Sequence, residues 1–281
     1  MIAICPNPYR DIDCRLSLRA MDILRPLGKK CCICPVFAKS GDDILPPGIE
    51  YHNIDDVLDA CELIVVVGGD GTILNVARHL KESSVPILGV NLGTKGFMAN
   101  IEPEDLEHIS DAAEGKFKLS RRMMLDVSYM RDGELIYSDH ALNDIVIHGC
   151  GDCININALC NGNHLTAFSG DGIIVSTPTG STGYSMSAGG PIVEPEAENI
   201  IISPICAHMM SARSFVLGPN SIISIGAHKL HDRKANLSVD GNNVMDIANG
   251  DTIIVKKSEH YTLMVDLGLR NFYEFSFEKL R

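Results

Sequence analysis

Residues that could bind phosphate are concentrated in a glycine-rich segment in the first third of the chain, Gly68–Gly69–Asp70–Gly71–Thr72. Glycines let backbone amides approach a ligand closely, and the start of a helix directs free N–H groups towards an anion. A carboxylate would repel that anion, so Asp70 requires a separate explanation. It could accept a proton from a hydroxyl group, hold a divalent cation, or cap the helix.

A second polar segment lies later in the chain and is rich in hydroxyl groups. From Ser176 to Ser187 nearly every residue is small, hydroxylic or glycine, which suits a backbone that lies close to phosphate or ribose. Asn143 and Asp144 directly precede a predicted strand. An amide and a carboxylate could bind the two hydroxyls of a ribose, although the same pair alone is also typical of a turn.

A further glycine turn, at residues 91–97, follows another predicted strand and ends at Phe97. In an open sheet of parallel strands ligands bind at the carboxyl edge, so both glycine turns could border one crevice. Phe97 could stack on a base or fill the core, and its position alone favours the core. No G-x-x-x-x-G-K-[ST] sequence occurs, so the glycine turns must hold any phosphates.

The glycine turns are positioned by an alternation of predicted strands and helices. The five aliphatic residues at 63–67 predict a strand buried on both faces, and Ile73, Ala77 and Leu80 lie on one face of a predicted helix. Further strands are predicted at residues 2–5, 31–37 and 85–90, and further helices at 11–27, 54–60 and 104–115. This alternation predicts an α/β N-terminal domain with a mostly parallel sheet.

Beyond Lys116 the pattern changes to short β-prone runs joined by hairpin-like turns. The runs cover residues 124–130, 134–137, 144–148, 154–159, 222–225, 237–239 and 252–255, with turns predicted at 131–133 and 161–162. We therefore expect a β-rich C-terminal domain at 119–265, after the α/β domain at 1–118.

The composition is that of a well-packed globular protein that is long enough for two domains. The 281 residues are 45% hydrophobic and 21% charged. The 24 Lys and Arg residues against 36 Asp and Glu residues give a net charge of −12. This acidic balance argues against nucleic acid or an anionic membrane as a partner.

The cellular location is predicted from the first residues and from the cysteines. Residues 1–8 lack the basic region of a secretory signal, and no apolar run is long enough to span a bilayer. The ten cysteines show no disulfide framework. Cys150 and Cys153 form a C-x-x-C pair without a second pair at zinc spacing, which disfavours a metal or redox role. We therefore expect a cytoplasmic protein with reduced thiols.

Together these segments resemble the NAD kinase family, in the family's order and over nearly the whole chain. The resemblance is carried by the segments 68–72, 91–97, 143–144, 177–191 and 238–241. Segment 68–72 is shared with diacylglycerol, sphingosine and 6-phosphofructo kinases, whereas segment 177–191 is much more specific.

The resemblance implies a reaction, a fold and an assembly. The reaction is ATP-dependent phosphorylation of the adenosine-ribose 2′-hydroxyl of NAD, which gives NADP. Mg²⁺ or another divalent metal would be bound mainly by the ATP phosphates rather than by a dedicated protein site, and polyphosphate could replace ATP. The final segment, 266–281, would complete the α/β domain, and residues 119–265 would form a β-rich NAD-binding domain. The assembly would be a homodimer or homotetramer.

The resemblance also implies roles for individual residues. Asp70 would accept the proton of the hydroxyl, Tyr184 would stack on adenine, and Asp171 would serve the nicotinamide end in a neighbouring subunit's site. The residues implied in NAD binding are Asp70, Gly71, Phe97, Asn143, Asp144, Ser169, Asp171, Thr182, Gly183, Tyr184, Ser187, Cys206 and Asn242. Those implied in binding the ATP phosphates are Gly68, Gly69, Gly71, Thr72, Thr179 and Gly180.

Three positions depart from the family's pattern and bear on the shape of the pocket. Met98 lies where some members have an aromatic or aliphatic residue, and Gly183 lies where many have alanine. Asp144 replaces a frequent glutamate and keeps its charge on a shorter side chain.

Three other classes of protein share parts of this pattern. A lipid or sugar kinase would contain segment 68–72 but would not explain the hydroxyl-rich run together with Asn143 and Asp144. A non-catalytic NAD(H)-binding regulator would be expected to have lost Asp70. An oxidoreductase would be expected to carry G-x-G-x-x-G after the 63–67 strand, and that spacing is absent.

Overall fold

The chain divides into two compact units, which are described separately. Unit 1 consists of Met1–Arg121 with Thr262–Arg281, and unit 2 consists of Arg122–Tyr261. The computed structural model describes residues 1–37, 44–80, 83–93, 96–99, 101–209, 212–230, 233–269 and 271–279.

Unit 1 is organised around a parallel sheet. Its first strands are β1 (Ile2–Pro6), β2 (Cys31–Ile33), β3 (Leu63–Gly68) and β4 (Ile87–Asn91), in the order β2-β1-β3-β4. All three strand pairs are parallel, and β3 is buried along its whole length, as its aliphatic run predicts. The predicted α/β domain with a mostly parallel sheet is therefore confirmed.

The helices of unit 1 lie at the predicted positions. They are α1 (Arg15–Leu24), α2 (Ile54–Val57), α3 (Asp70–Leu80) and α4 (Ile109–Ala113). The helical region before Gly28 ends there because glycine adopts the left-handed conformation at φ 71°. The predicted helix at 104–115 is a 3₁₀ helix over Pro103–His108 before it becomes α4, because Asp105 leaves regular geometry. The predicted strand at 31–37 is wrong beyond Ile33, since Pro35 has no N–H to donate to a ladder.

Unit 2 contains two antiparallel sheets whose facing sides form one core. Its elements are β5 (Lys118–Arg131, which begins in unit 1), β6 (Glu134–Ala141), β7 (Asp144–Gly149), β8 (Ile154–Cys160), β9 (Asn163–Gly170), β10 (Gly172–Ser176), α5 (Tyr184–Ser187), β11 (Ile200–Ile205), β12 (Phe215–Leu217), β13 (Ile223–His228), β14 (Ala235–Val239), β15 (Asn242–Ile247) and β16 (Thr252–Asp266). One sheet has the order β12-β11-β10-β7-β14-β15. The other contains β16-β13-β8-β9 and the β5–β6 hairpin.

The core of unit 2 confirms the predicted β-rich domain. Ile145, Ile173 and Ile202 come from the six-stranded sheet and join Ile156, Ile225 and Val255 of the other sheet in one buried cluster. Three hairpins turn on an Asx-Gly pair in which both residues have positive φ, namely Asp132–Gly133, Asn161–Gly162 and Asp240–Gly241.

The chain returns to unit 1 near the end of β16. Met264 pairs in parallel with Ile87 of β4, and a last helix, α6 (Phe272–Lys279), follows in unit 1. In the described ranges no helix is both long and apolar enough to cross a membrane.

Candidate functional site

The glycine segment of unit 1 lies at the carboxyl end of the central strand. Strand β3 ends at Gly68 and helix α3 begins at Asp70. A side chain at Gly68 would collide with the buried Thr72, whose hydroxyl oxygen accepts a hydrogen bond from Asn7 Nδ2 at 3.1 Å. The sharp turn therefore requires glycine for packing, and it directs the first turn of α3 towards the sheet edge.

The carboxylate of Asp70 connects this turn to the second glycine turn. Asp70 Oδ2 accepts a hydrogen bond from the backbone N–H of Phe97 at 3.0 Å, and Oδ1 accepts one from Met98 N–H at 3.1 Å. Both oxygens of the half-buried side chain are thus held in fixed positions. Phe97, whose backbone N–H is one of the two donors, is half-buried as well.

The two glycine turns approach each other closely in unit 1. A β-carbon at Gly93 would lie 3.4 Å from Gly69 Cα, and Asn91 Oδ1 accepts a hydrogen bond from Gly93 N–H at 2.9 Å. Gly96 adopts φ 62°, which favours glycine. Thr94 and Lys95 of the predicted turn at 91–97 lie outside the described residues.

A cavity of about 310 Å³ opens beside these turns. Its lining consists of Asn7, Arg10, Phe37, Gly69, Asp70, Gly71, Thr72, Gly93 and Gly96. Four glycines, one carboxylate and one guanidinium therefore line a space at the lower end of the size range of small-ligand pockets. Asn7 and Arg10 were not among the sequence-predicted site residues, because their contribution depends on the adjacency of β1 and β3.

In unit 2 the segment before β7 is held by Asp240. The Asp240 carboxylate accepts hydrogen bonds from the backbone N–H groups of Leu142 at 2.8 Å, Asn143 at 2.8 Å and Asp144 at 3.0 Å. Asp240 N–H in turn donates to Asp144 O at 3.0 Å. The Asp240–Gly241 hairpin turn thus fixes the backbone from which the Asn143 and Asp144 side chains project.

Asp144 is a buried carboxyl group, with 6% of its surface exposed. Burial, and then the neighbouring charge of Asp240, raise the pKa of Asp144 to about 7. The group can therefore change between a hydrogen-bond donor and a charged acceptor near neutral pH.

Several hydroxyl groups of the hydroxyl-rich run bond to protein backbone. Thr177 Oγ1 donates to Leu142 O at 2.6 Å and accepts from Gly180 N–H at 3.0 Å. Ser176 Oγ donates to Asn143 O at 3.2 Å, and a side chain at Gly180 would collide with that same carbonyl. These residues dock the run against the Asn143 segment. The sequence could not distinguish this supporting role from direct ligand contact.

Two buried oxygen atoms in this region have no hydrogen-bond partner among the described residues, Asn143 Oδ1 and Thr179 Oγ1. An unpaired buried polar atom costs about 1–3 kcal/mol, so such atoms are expected to meet a ligand or water. The same segment brings Thr182 beside Thr179, because Thr182 Oγ1 donates to Thr179 O at 3.3 Å. This part of unit 2 has the properties of a site for a ligand with hydroxyl groups.

Tyr184 lies at the start of α5 with 46% of its surface exposed. Partial burial, followed by the negative charge of Cys206, Asp171 and Asp144, raises the pKa of its hydroxyl. Gly183 precedes it, and Ser187 at the end of α5 is exposed, with its N–H directed to Gly183 O at 3.4 Å. An exposed ring next to buried polar groups is suited to stacking.

Asp171 and its neighbours form a second polar group in unit 2. Cys153 Sγ lies 3.6 Å from Asp171 Oδ1 and 3.3 Å from His208 Nε2, and His208 N–H donates to Ser169 O at 2.9 Å. A hydrogen bond to the Asp171 carboxylate raises the pKa of the exposed Cys206 thiol. Asn242, in contrast, is exposed beside the hairpin turn, where its Nδ2 donates to Asp240 O at 3.2 Å.

No group of three or more His, Cys, Asp or Glu side chains in the described part of the chain has an arrangement that could hold a metal ion.

Two family models and a related protein match most of this chain. The family models described as "ATP-NAD kinase N-terminal domain" and "ATP-NAD kinase C-terminal domain" match residues 41–115 and 142–267. The NAD kinase of Acetivibrio thermocellus is 38% identical over 279 residues, which cover 97% of this chain and 94% of the relative.

Two solved structures share the fold. Yeast NADH kinase complexed with NADH superimposes with a TM-score of 0.87 and 26% identity, covering 99% of this chain and 86% of that one. An NAD kinase from Archaeoglobus fulgidus in complex with ATP has a TM-score of 0.76 and 27% identity, covering 100% and 99%.

Proposed function

Because the chain belongs to the NAD kinase family, we propose that it transfers the γ-phosphate of ATP to the 2′-hydroxyl of the adenosine ribose of NAD. The product is NADP. The observation that carries the proposal is the Asp70 carboxylate, oriented by two backbone N–H groups in a cavity that glycine backbone surrounds.

Asp70 is proposed as the general base of this reaction. A ribose hydroxyl is a weak nucleophile, and a carboxylate that accepts its proton during bond formation contributes about 10²–10⁴-fold. The backbone N–H groups of Phe97 and Met98 donate to the two Asp70 oxygens and orient the carboxylate in the cavity that it lines. The fixed carboxylate thus limits the positions in which the hydroxyl can react.

The ATP phosphates are proposed to bind the glycine turns. Gly69, Gly71 and Gly93 line the cavity, and Gly68 and Thr72 shape the turn that carries it. Mg²⁺ or another divalent metal would be held mainly by the phosphate oxygens, and Asp70 in the cavity lining could add one ligand. When bound, the ion neutralises charge on the phosphates. Polyphosphate is a second donor to test.

Unit 2 is proposed to recognise NAD. The unpaired Asn143 Oδ1 can accept a hydrogen bond from a ribose hydroxyl, and the Asp144 carboxyl group offers a further hydrogen bond. The unpaired Thr179 hydroxyl can donate to a phosphate oxygen, in keeping with its implied role in binding the ATP phosphates. Tyr184 would stack on adenine. We assign Gly180 to packing against Asn143, so its effect on binding would be indirect.

Two further features of the protein are proposed on supporting observations. Asp171 would serve the nicotinamide end of NAD in a neighbouring subunit's site, which requires a homodimer or homotetramer. Ser169 and Cys206 would contribute to NAD binding. A cytoplasmic location is supported by the ten cysteines, all of which are free thiols.

The proposed function is tested by incubating the purified protein with ATP, Mg²⁺ and NAD, and by detecting NADP with an NADP-specific dehydrogenase. We expect Asp70→Asn to lower kcat by about 10²–10⁴-fold while NAD still binds. The matched control is Asp13→Asn, an exposed carboxylate paired with Arg15, which should retain full activity. An unchanged kcat in Asp70→Asn would remove Asp70 as the base. Transfer of phosphate to a lipid or a sugar instead of NAD would show that the protein acts as a lipid or sugar kinase.

A further inference from the structure

Arg10 lies in the loop that follows β1, at the same edge of the sheet as the two glycine turns. Asn7 N–H donates to Val67 O at 2.8 Å, and Arg10 N–H donates to Asn7 O at 2.9 Å. Because Asn7 Nδ2 also donates to Thr72 Oγ1, this loop is tied to the turn that carries Asp70. The backbone position of Arg10 is therefore fixed relative to the proposed base.

The guanidinium of Arg10 is anchored to the second glycine turn. Arg10 Nη1 donates to the carbonyl of Leu92 at 2.9 Å, and Leu92 N–H donates to Gly68 O at 2.8 Å. This contact uses one of the five N–H donors of a guanidinium, so the planar group is oriented while other donors stay available. The side chain lines the 310 Å³ cavity together with Asp70.

Arg10 donates to a backbone carbonyl rather than to a carboxylate, as Arg213 and Arg233 do. Arg15, Arg19 and Arg131, in contrast, each pair with a carboxylate, at 3.1, 3.1 and 2.8 Å. Arg10 makes no salt bridge within the described ranges, in a protein of net charge −12. Its positive charge is therefore available to a ligand.

A positive charge in the cavity would assist the proposed chemistry. The donor phosphates would be repelled by Asp70, and the glycine turns offer them only backbone dipoles. Among the described residues that line the cavity, Arg10 is the one with a positive charge. A guanidinium matches the geometry of phosphate oxygens and stabilises the charge that develops on a phosphoryl group during transfer.

We propose that Arg10 is a catalytic residue that binds the terminal phosphate of the donor. This inference rests on the proposed function. A bond forms between the 2′-oxygen of the ribose and the γ-phosphorus while the bond from that phosphorus to the β,γ-bridging oxygen breaks. The bridging oxygen leaves with the electron pair as part of ADP, and the hydroxyl proton passes to Asp70. Arg10 keeps its protons and holds the phosphoryl oxygens throughout.

The first test measures binding rather than turnover. Calorimetric titration of Arg10→Ala with ATP and with ADP, each with Mg²⁺, should show a dissociation constant for ATP that rises about 10-fold or more. The constant for ADP, which lacks the terminal phosphate, should change less than about 2-fold. An equal effect on ATP and ADP, or no effect on either, would overturn the assignment.

The second test measures turnover in the NADP assay. Arg10→Ala should lower kcat by at least about 10²-fold with little change in the KM for NAD, and Arg10→Lys should retain part of the activity. Guanidinium ion at non-denaturing concentration should partly restore Arg10→Ala but not Asp70→Asn. The control Arg15→Ala removes an exposed surface pair and should behave as wild type.

The two tests separate this inference from the proposed function. If the wild-type protein forms no NADP but Arg10→Ala loses its preference for ATP over ADP, Arg10 still binds the terminal phosphate and the acceptor assignment fails. If the wild type forms NADP and Arg10→Ala retains kcat within about 3-fold, the acceptor assignment stands and Arg10 has no catalytic role.

Discussion

Asp144 is a single residue whose environment predicts a measurable pH dependence. Its pKa of about 7 in the folded protein lies above the ordinary value of 3.8. The folded state therefore holds a proton that the unfolded state has released, and stability falls as the pH rises from about 4 through 7. Below pH 4 both states are protonated and the group has no effect.

We expect Asp144→Asn to remove this decrease in stability at higher pH, because asparagine has no charge to bury. Urea unfolding at pH 5 and pH 8 gives the free energy of unfolding of both proteins. The value for the variant, relative to that for wild type, should be higher at pH 8 than at pH 5 by on the order of 2 kcal/mol. Asp139→Asn, a half-buried carboxylate on β6, is a suitable comparison. A stability difference that stays constant with pH would show that Asp144 titrates normally.

Gly180 illustrates a residue that is required for packing beside the site. Its α-carbon faces the carbonyl of Asn143, and an added methyl group would collide with backbone that cannot move easily. We expect Gly180→Ala to destabilise the protein by about 1–3 kcal/mol and to raise the KM for NAD, because Asn143 must shift.

The matched control for this substitution is Gly218→Ala. Gly218 has no atoms within 4 Å of an added β-carbon, so alanine should be neutral there. Thermal unfolding of both variants and their NAD kinetics make the comparison. Equal melting temperatures of the two variants would show that an alanine side chain at position 180 does not collide with the Asn143 carbonyl.

At the scale of elements, the hairpin between β14 and β15 carries a second function besides reversing the chain. Asp240 occupies the first turn position, at φ 45°, and its carboxylate binds the N–H groups of Leu142, Asn143 and Asp144. The equivalent position in the β5–β6 hairpin is Asp132, at φ 51° and exposed. The two turns share backbone geometry and differ in what their side chains bind.

We therefore expect Asp240→Ala to cost more than Asp132→Ala. Both lose the turn preference of aspartate, but only Asp240→Ala leaves buried N–H groups without their acceptor, which adds about 2–4 kcal/mol. Denaturant unfolding of the two variants measures the difference. NAD binding should weaken in Asp240→Ala alone. If both variants lose equal stability, the contacts to residues 142–144 contribute nothing.

The sequence predicted elements well where the pattern was strong and local. The aliphatic run of β3 and the glycine after it define a strand, a turn and a helix without reference to the rest of the chain. Strands β9 to β12 and β15 were not predicted. β10 is a short apolar run between polar residues and the start of the hydroxyl-rich run, and β11 contains Pro204 within a short apolar run that periodicity cannot assign.

The site was predictable to the extent that its residues are contiguous. The glycine turns and the Asn143–Asp144 pair are visible in the sequence. The supporting roles of Ser176 and Thr177, and the positions of Asn7 and Arg10, follow from strand order, which a single sequence does not contain.

At the scale of the whole molecule, the reaction of the thiols with a reagent tests whether the cysteines are reduced. All ten cysteines are free, and Cys150 and Cys206 are exposed. We expect a thiol reagent to modify about two groups in the native protein and ten after unfolding, without added reductant. Fewer than ten in the unfolded protein would reveal disulfides. NAD should slow the reaction of Cys206 if this thiol lies in the nicotinamide part of the site.

The path of the chain through the units also has a consequence for synthesis on the ribosome. Strand β4 pairs on one side with β3, and on the other with β16, through Met264. About 140 residues of unit 2 are translated in between, which takes roughly 7 to 28 s at common elongation rates. During that interval the nascent α/β sheet has an open, apolar edge at Ile87. Unit 1 therefore completes its fold only after unit 2 has been made, and until then the unpaired edge of β4 is a site at which the nascent chain can aggregate.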